Sequence, residues 1–447
     1  MAKGPPVRLR VRVLFIACLL AATVGLSPAG RAATPGQFQL LAATTLSPRL
    51  TELRVFSPAM GREMRARVLT PDGFDASRDH LPVLWLLHGG FGQASDWTVV
   101  GKAEELTAGL PLVVVMPDAG TGGWYANWKN ATREGPQQWE TFHLAELRPF
   151  IEQRYATRTD RSGRAVAGLS MGGFGAIHYA SRHPDLFGFA ASFSGAVDIT
   201  HPGVGAVVSA SPLAHQGLPT DLFGERVTEE SRWRANNPVD LAANLRTVEV
   251  QLRTGNGFPG GPHGGGPDIQ EGGVSQATAT LHQRLDALGI AHFYLDYGPG
   301  AHTWDYWIDD LRATLPAIVS ATSQVRPDPT TVEHVAFESH FHVWGHDVDL
   351  NRPVLERAVL DVRPDGFDLS GSGTGTVTTP ARYAPGASVQ VSTVDDAGVT
   401  TTAALTAGAD GRVTVPVNLG PASAVDEYPL ATAVPPAHRT VHVTLTP

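Results

Sequence analysis

Ser170 stands at the centre of the pentapeptide Gly168-Leu169-Ser170-Met171-Gly172, a G-x-S-x-G pattern. Residues 164–168 before it suit a short strand, and residues 171–176 after it suit the start of a helix. This strand–turn–helix context is what a nucleophile elbow requires, because the flanking glycines allow a strained turn that exposes the serine hydroxyl. A glycine-rich junction with an incidental serine is the alternative interpretation. The pattern predicts a nucleophilic serine.

The serine hydroxyl needs a base to remove its proton. His302 is the best placed of the 17 histidines, because it follows the last predicted strand (292–297) and precedes a predicted helix. Loops at the carboxyl edge of a parallel sheet lie together. A histidine after the serine also fits the order serine, acid, histidine of α/β-hydrolases. A histidine in an ordinary surface loop is the alternative. We expect His302 to be the general base.

The third member of such a set is an acid that orients the histidine and stabilises its charged form. We expect this acid in the loop after the strand predicted at 248–254, where Asp268 and Glu271 are available. The spacing of the two residues alone does not choose between them.

Acyl transfer also needs backbone N–H donors for the negative oxygen of the tetrahedral intermediate. One donor is normally the residue after the nucleophile, here Met171, and the other lies in the loop after an earlier strand, here 81–87. That loop reads His88-Gly89-Gly90-Phe91, which makes Gly90 the expected second donor. His88 itself is interpreted as a side chain that supports the loop, because it precedes the serine in the chain.

The segments around these residues alternate short apolar runs with amphipathic ones. Apolar runs, several of them apolar on both faces as in central parallel strands, occur at 53–56, 64–69, 81–87, 112–116, 165–168, 188–192, 248–254 and 292–297. We expect the first two to pair antiparallel. Helical patterns occur at 139–155, 171–183, 274–288 and 303–318. This alternation predicts an α/β-hydrolase fold, with a doubly wound and mostly parallel sheet, in a domain at 34–322.

The pattern changes after residue 322. Residues 323–329 are typical of a linker, and residues 330–447 are rich in Val, Thr and Gly with stretches of alternating apolar residues. This composition predicts a C-terminal all-β, sandwich-like domain. Within the α/β part, the glycine- and proline-rich segment 255–273 is interpreted either as a mobile lid over the site or as a surface insertion.

Residues 1–33 have the basic start, the apolar run and the small residues of a secretory signal peptide. We therefore expect a secreted protein, with a retained membrane anchor as the alternative. Cys18 is the only cysteine and falls in this segment, which excludes a cysteine nucleophile and a disulfide from the mature chain. The formal net charge of −9 argues against nucleic acid or an anionic membrane as a partner.

Several segments resemble the putative esterase family of α/β-hydrolases, which includes the antigen 85 mycolyltransferases and esterase D. The resemblance covers residues 50–315 and rests on Leu86-Leu87-His88-Gly89-Gly90, Trp139-Glu140-Thr141-Phe142, Gly168-Leu169-Ser170-Met171-Gly172-Gly173, Thr254-Gly255-Asn256-Gly257 and His302-Thr303-Trp304-Asp305-Tyr306-Trp307. It implies Ser170 as the nucleophile and His302 as the base. It also implies the amides of Gly90 and Met171 as the oxyanion donors.

The resemblance bears on the acid and on the substrate as well. Counting back without gaps from the His-Thr-Trp segment implies Glu271, rather than Asp268, as the acid. Phe91 stands where mycolyltransferases have an arginine that contacts the sugar, and His88 stands where they have an acidic residue. The resemblance therefore does not extend to trehalose recognition. We expect His88, Phe91 and Trp304 to contact the substrate.

His340, His342, His346 and Asp347 form a second group of polar side chains. On a strand, His340 and His342 point to the same face and could supply two metal ligands. A closed metal site needs two more ligands from elsewhere, so a structural or surface histidine cluster is the preferred interpretation. We expect neither a metal nor a cofactor.

The expected function is hydrolysis of carboxylic esters by a secreted serine esterase, with an acyl-Ser170 intermediate and a Ser-Glu-His triad. One alternative is an acyltransferase that moves acyl groups onto cell-envelope sugars. Another is a cell-surface binding protein with a vestigial hydrolase site. The expected partners are an ester, acyl-lipid or glycan substrate, and the cell envelope through residues 330–447.

Overall fold

The computed structural model describes residues 36–429 and 434–447. The expected signal peptide at 1–33 lies outside the described residues. Contacts along the backbone group Phe38–Pro447 into one compact unit. In the described ranges, no helix combines the length and the apolar content needed to cross a membrane.

A nine-stranded mixed sheet forms the first part of this unit. Its strands are β1 (Gln39–Thr45), β2 (Leu50–Ser57), β3 (Arg62–Leu69), β4 (Val83–Leu87), β5 (Val113–Pro117), β6 (Arg164–Leu169), β7 (Phe189–Phe193), β8 (Glu249–Thr254) and β9 (Phe293–Asp296). They lie in the order β1-β2-β3-β5-β4-β6-β7-β8-β9. The pairs from β1 to β5 are antiparallel, and the pairs from β5 to β9 are parallel.

Helices cover both faces of this sheet. They are α1 (Asp96–Val99), α2 (Ala103–Leu106), α3 (Arg148–Tyr155), α4 (Met171–Arg182), α5 (Pro202–Ala210), α6 (Glu230–Ala235), α7 (Ile269–Ala287) and α8 (Trp304–Thr322), with a π-helical turn at Thr141–Leu147. Alternate residues of β4 face two separate cores: Trp85 lies in one core together with Phe174 of α4, and Leu84 lies in the other together with Leu311 of α8. Burial on both faces explains the continuous apolar runs of the central strands. The predicted α/β-hydrolase fold is confirmed.

Three elements differ from the sequence-based expectations. The sequence does not predict β1, whose residues are half-buried or exposed. The last apolar run forms β9, which is the edge strand of the sheet rather than a central strand, and its residues are exposed or half-buried. Helix α7 begins at Ile269 rather than 274, so the glycine-rich loop ends at Asp268. That loop is tied at its base, where Gly257 donates its amide to Gly300 and accepts from Asp268.

Two antiparallel sheets form the C-terminal part. Their strands are β10 (Val332–Ala336), β11 (His340–Val343), β12 (His346–Asn351), β13 (Ala358–Arg363), β14 (Gly366–Gly371), β15 (Thr374–Thr378), β16 (Ser388–Val394), β17 (Thr400–Thr406), β18 (Thr414–Asn418) and β19 (Arg439–Thr446). One sheet has the order β10-β13-β14-β19-β16-β17 and the other β11-β12-β15-β18. Leu360 and Phe367 of the first sheet share an apolar core with Val377 and Val415 of the second. The predicted all-β, sandwich-like part is confirmed.

Buried polar contacts join the C-terminal sheets to the α/β part. The side chain of Asn244 accepts a hydrogen bond from the Val335 amide at 2.7 Å and donates one to its carbonyl at 2.9 Å. Arg182 of α4 forms ion pairs with Glu140 and with Glu338, which follows β10. These contacts join the two parts but do not test where one ends and the next begins. The proposed boundaries at 34–322, 323–329 and 330–447 stay a prediction.

Candidate active site

Ser170 lies in a strained turn between β6 and α4. Its backbone has φ +52° and ψ −117°, a conformation that costs a non-glycine residue about 1–3 kcal/mol. A Cβ atom on Gly168 would lie 2.3 Å from the Gly172 carbonyl oxygen, and one on Gly172 would lie 2.4 Å from the Leu87 carbonyl oxygen. Both glycines of the motif are therefore required by close packing of β6, α4 and the end of β4.

Backbone hydrogen bonds fix the turn against the neighbouring strand. The Ser170 amide donates to the Phe193 carbonyl at 2.9 Å. The loop after β4 lies beside the serine, because a Cβ atom on Gly89 would be 3.4 Å from Ser170 Cβ. Among the residues that the structure describes, the amides of Gly90 and Met171 have no hydrogen-bond acceptor. Both amides are thus available to an oxygen atom from outside the chain.

Glu271 and His302 form a buried pair. His302 Nδ1 lies 2.7 Å from Glu271 Oε2, and the two side chains are 6% and 0% exposed. The other oxygen, Glu271 Oε1, accepts from the Gly255 amide at 2.7 Å and from Ser194 Oγ at 2.8 Å. Since a carboxylate only accepts hydrogen bonds, the His302 Nδ1 atom carries a proton. The lone pair of the neutral ring is then on Nε2.

Asp268 is the N-cap residue of α7 and contacts both members of that pair. Its Oδ1 accepts from the Glu271 amide at 3.0 Å, and its Oδ2 accepts from the His302 amide at 2.8 Å. Burial favours the neutral form of this carboxyl, but hydrogen bonds from backbone amides and the electrostatic interaction with His302 together outweigh burial and lower the pKa of Asp268 below its usual value. Asp268 therefore joins the backbones that carry Glu271 and His302, whereas only Glu271 reaches the imidazole ring.

His302 Nε2 is buried and lacks a hydrogen-bond partner among the described residues. No hydrogen bond between this atom and Ser170 Oγ is formed in the structure, as is often the case in unliganded sites, where the bond shortens when substrate binds. The ring of Trp307 packs edge-on against the His302 ring, with 4.9 Å between their centroids. The structure thus brings Asp268, Glu271 and His302 together, at the same carboxyl edge of the sheet as Ser170.

His88 is a buried support of the loop after β4. Its side chain is 1% exposed. Its Nδ1 donates to the Gly89 carbonyl at 2.8 Å, and its Nε2 accepts from the Ala119 amide at 2.9 Å. Both ring nitrogens are therefore engaged, which agrees with the interpretation of His88 as a loop support and leaves neither for a substrate.

Phe91 and Trp304 differ in their exposure. Phe91 is 84% exposed and has φ +60°, and its amide is fixed by the Thr121 carbonyl at 2.7 Å. Trp304 is half-buried and packs edge-to-face against Trp97, with a centroid distance of 5.2 Å. Phe91 is accordingly the more accessible of the two to a substrate.

The sequence did not single out Ser194, which helps to hold Glu271. Ser194 directly follows β7 and has φ +45°, and its hydroxyl reaches the carboxylate of α7. A signal existed, because residues directly after parallel strands collect at one edge of the sheet. Gly255 has the same kind of position, because it directly follows β8.

The histidines of the C-terminal sheets pair separately with acids. His340 lies 3.0 Å from Asp349, and His342 contacts Asp347; all four are exposed. His346 is buried instead, and burial lowers its pKa to about 4. Within the described ranges these side chains do not belong to a group of three or more potential metal ligands. The interpretation as a structural or surface histidine cluster stays a prediction.

A parallel sheet that carries a glycine-flanked serine after one strand and a histidine after the last defines an α/β-hydrolase. Comparison with known proteins gives the family. The model of the Putative esterase family matches residues 57–318, more than half of the chain, and the chain belongs to that family.

Individual relatives agree with this family. Esterase Rv1288 of Mycobacterium tuberculosis (strain ATCC 25618 / H37Rv) is 35% identical over 278 residues, which are 61% of this chain and 59% of that protein. The chain thus spans about 59% of that relative's length. The diacylglycerol acyltransferase/mycolyltransferase Ag85A of Mycobacterium bovis (strain BCG / Pasteur 1173P2) is 28% identical over 293 residues, 62% of this chain and 83% of that protein.

A solved structure shares the fold of the α/β part. The S-formylglutathione hydrolase from Agrobacterium tumefaciens superposes with a TM-score of 0.51 at 18% identity, over 64% of this chain and 99% of the other. At this identity the likeness concerns the fold alone.

Proposed function

We propose that this protein is a serine esterase that hydrolyses carboxylic esters through an acyl-Ser170 intermediate. The observation that carries the proposal is the buried pair of His302 and Glu271, in which Nδ1 is fixed by the carboxylate and Nε2 is left without a partner in the described ranges. Nε2 is the atom that a general base needs. Membership of the esterase family supports the same reaction class.

The reaction that we propose has two stages. His302 Nε2 removes the proton of Ser170 Oγ while this oxygen attacks the ester carbonyl carbon. The tetrahedral intermediate collapses, the alcohol leaves with the proton from His302, and the acyl group stays on Ser170. Water then attacks the acyl-serine carbonyl carbon while His302 removes a proton from the water. When this second intermediate collapses, Ser170 Oγ leaves with the proton from His302, and the carboxylic acid is released. Glu271 stabilises the imidazolium in both stages.

Two backbone amides are proposed to bind the oxyanion of this intermediate. The amides of Gly90 and Met171 are free of other acceptors among the described residues, and Met171 opens the first turn of α4. The N-terminal end of a helix carries partial positive charge, which stabilises an anion placed there.

Exposed apolar side chains near these residues support a substrate with an apolar acyl or alcohol group. Phe91 follows Gly90 directly and is 84% exposed, and Ile269 follows Asp268 directly and is 92% exposed. Phe258, in the loop after β8, is also exposed. Apolar groups at a rim of this kind lower the free energy of binding of a hydrocarbon chain by removing it from water.

Turnover of p-nitrophenyl esters of increasing chain length tests the proposal. We expect measurable hydrolysis by the wild type and a loss of about 10⁶-fold in kcat for Ser170→Ala and for His302→Ala. Ser323→Ala, which changes an exposed serine after α8, is the matched control and should keep full activity. Absence of hydrolysis at every chain length, or an active Ser170→Ala variant, would contradict the proposal.

Acyl transfer to a sugar hydroxyl is the second candidate. It is supported by the 28% identity to a protein named diacylglycerol acyltransferase/mycolyltransferase. The two candidates share the acyl-serine and differ in the acceptor, so product analysis with and without trehalose separates them. A new acyl-sugar that grows at the expense of free acid would favour transfer, whereas an unchanged acid yield would favour hydrolysis.

Secretion and the role of the C-terminal part belong to the same proposal. We expect the mature chain to begin near residue 34 and to be found outside the cell, which N-terminal sequencing of the exported protein checks. We also expect residues 330–447 to form a domain that contacts the cell envelope. Retention of the full chain on cell-wall material measures that contact.

A further inference from the structure

Two histidines and an aspartate meet at the far end of α7. His282 and Asp286 are one turn apart on this helix, and His292 lies just before β9. His282 Nδ1 is 2.8 Å from His292 Nε2, and His282 Nε2 is 3.5 Å from Asp286 Oδ2. One donor atom from each side chain can be chosen so that all lie within 4.8 Å of one another.

The orientation of both rings is fixed by neighbouring groups. His292 Nδ1 lies 2.8 Å from the Ile290 carbonyl oxygen. Because a carbonyl only accepts, Nδ1 carries the proton and Nε2 presents its lone pair to His282. A histidine whose second nitrogen donates to a backbone carbonyl is the usual form of a metal ligand. The His282 ring is stacked on Tyr294, with 4.1 Å between centroids and 14° between planes.

We propose that His282, Asp286 and His292 bind a divalent transition-metal ion such as Zn²⁺. Two imidazoles and one carboxylate are a ligand set that suits Zn²⁺ and not Mg²⁺. Zn–N bonds of about 2.0–2.1 Å place two ligand nitrogens roughly 3.3 Å apart in a tetrahedral site. In the observed 2.8 Å contact His282 Nδ1 donates its proton to His292 Nε2. Binding of the ion therefore needs a small movement of the rings and the release of this proton to water. Asp286 is 62% exposed, so water can reach the fourth position.

The site would join two elements that lead to the proposed catalytic residues. Helix α7 carries Glu271 in its first turn, and β9 leads into the loop that carries His302. His282 is about 16 Å from Glu271 along the helix, so the ion takes no part in the proposed reaction. Its effect would be to hold the edge strand β9 against α7. The inference is independent of the proposed esterase activity.

Calorimetric titration of the untagged, chelator-treated full chain with ZnCl₂ tests this proposal. We expect the wild type to bind one more equivalent of Zn²⁺ than His282→Gln or His292→Gln. We also expect saturating Zn²⁺ to raise the melting temperature of the wild type by about 2–4 °C, with no rise on addition of MgCl₂. Circular dichroism without metal shows whether the variants fold, and Asp286→Asn provides a milder change on the surface.

His442→Gln is the matched control, because His442 lies 3.0 Å from Asp368 but belongs to no group of three or more potential metal ligands in the described ranges. This variant should bind Zn²⁺ as the wild type does. Equal Zn²⁺ stoichiometry and an equal thermal shift in the wild type and in folded His292→Gln would overturn the proposal, as would a wild type that binds no Zn²⁺.

Discussion

The substitution Glu271→Gln separates the two acids near His302 most clearly. The carboxylate accepts from Gly255 and Ser194 on one oxygen and from His302 Nδ1 on the other. An amide has one oxygen and one NH₂ group, so it cannot accept at both places. At one of the two places the NH₂ group of the glutamine therefore faces another hydrogen-bond donor, and that hydrogen bond is lost.

The structure indicates which contact is lost. If the amide NH₂ faced the Gly255 amide, a buried N–H would lose its acceptor, at a cost of about 1–3 kcal/mol. The opposite orientation keeps that bond and presents NH₂ to His302, which must then move its proton to Nε2. A ring with the proton on Nε2 cannot accept the Ser170 proton. Together with the lost stabilisation of the imidazolium, we expect kcat to fall about 10³–10⁴-fold.

Asp268→Asn is the matched comparison. The Asp268 side chain accepts from the backbone amides of Glu271 and His302, and asparagine can still accept from one of them. Loss of the other hydrogen bond costs about 1–3 kcal/mol of stability and displaces the ring only slightly. We expect a fall in kcat of about 10-fold, with the correct tautomer retained.

Steady-state hydrolysis of p-nitrophenyl butyrate by both variants, with circular dichroism as a control for folding, decides between the acids. A larger loss for Asp268→Asn than for Glu271→Gln would refute the assignment and make Asp268 the triad acid. Equal losses would refute the separation of orienting and positioning roles.

Three further substitutions test single contacts. Gly172→Ala places a Cβ atom 2.4 Å from the Leu87 carbonyl oxygen, so we expect a loss of activity above about 100-fold; full turnover would contradict the packing of the elbow. Ser194→Ala removes one of the three hydrogen bonds to Glu271 Oε1, the others coming from the Gly255 amide and Thr254 Oγ1, and a fall in kcat of about 3–10-fold is expected; an unchanged kcat would contradict it. Burial raises the pKa of Asp310 to about 8, whereas the unfolded carboxyl ionises near pH 4. Because burial favours the neutral carboxyl, the contribution of Asp310 to the free energy of unfolding is fully present below about pH 4. This contribution is lost as the pH rises to about 8. Denaturant unfolding should show Asp310→Asn to be more stable than the wild type at pH 8, by at most about 6 kcal/mol, with the gain shrinking towards pH 4; a gain that does not depend on pH would contradict the cause.

The central strands were predictable from the sequence because their residues are buried on both faces of the sheet, and the elbow was predictable because its close packing requires glycines at fixed positions. The strands from β4 to β7 are buried on both faces, so their runs are continuously apolar. In contrast, β1 and β9 lie at the two edges of the sheet, where partial exposure weakens the apolar pattern. Edge strands are for this reason the hardest to assign from sequence.

The start of α7 escaped prediction because two signals conflict. Asp268 and Glu271 have the spacing of an N-cap and a third helical residue, and Asp268 does accept from the Glu271 amide. The sequence pattern does not indicate this start, because glycines and prolines precede it and the first helical residue, Ile269, is exposed. The three-residue spacing also explains why sequence could not separate the two acids, since both carboxylates point to His302 from one helix end.

Covalent labelling of the nucleophile tests the central claim most directly. A fluorophosphonate probe reacts with a serine oxygen that an adjacent base activates, and mass spectrometry of the digested protein identifies the modified residue. We predict a single adduct on the peptide that contains Ser170, its absence in folded Ser170→Ala, and much slower labelling in His302→Ala. An adduct on another serine, or labelling that persists undiminished in Ser170→Ala, would contradict the assignment of Ser170 as the nucleophile.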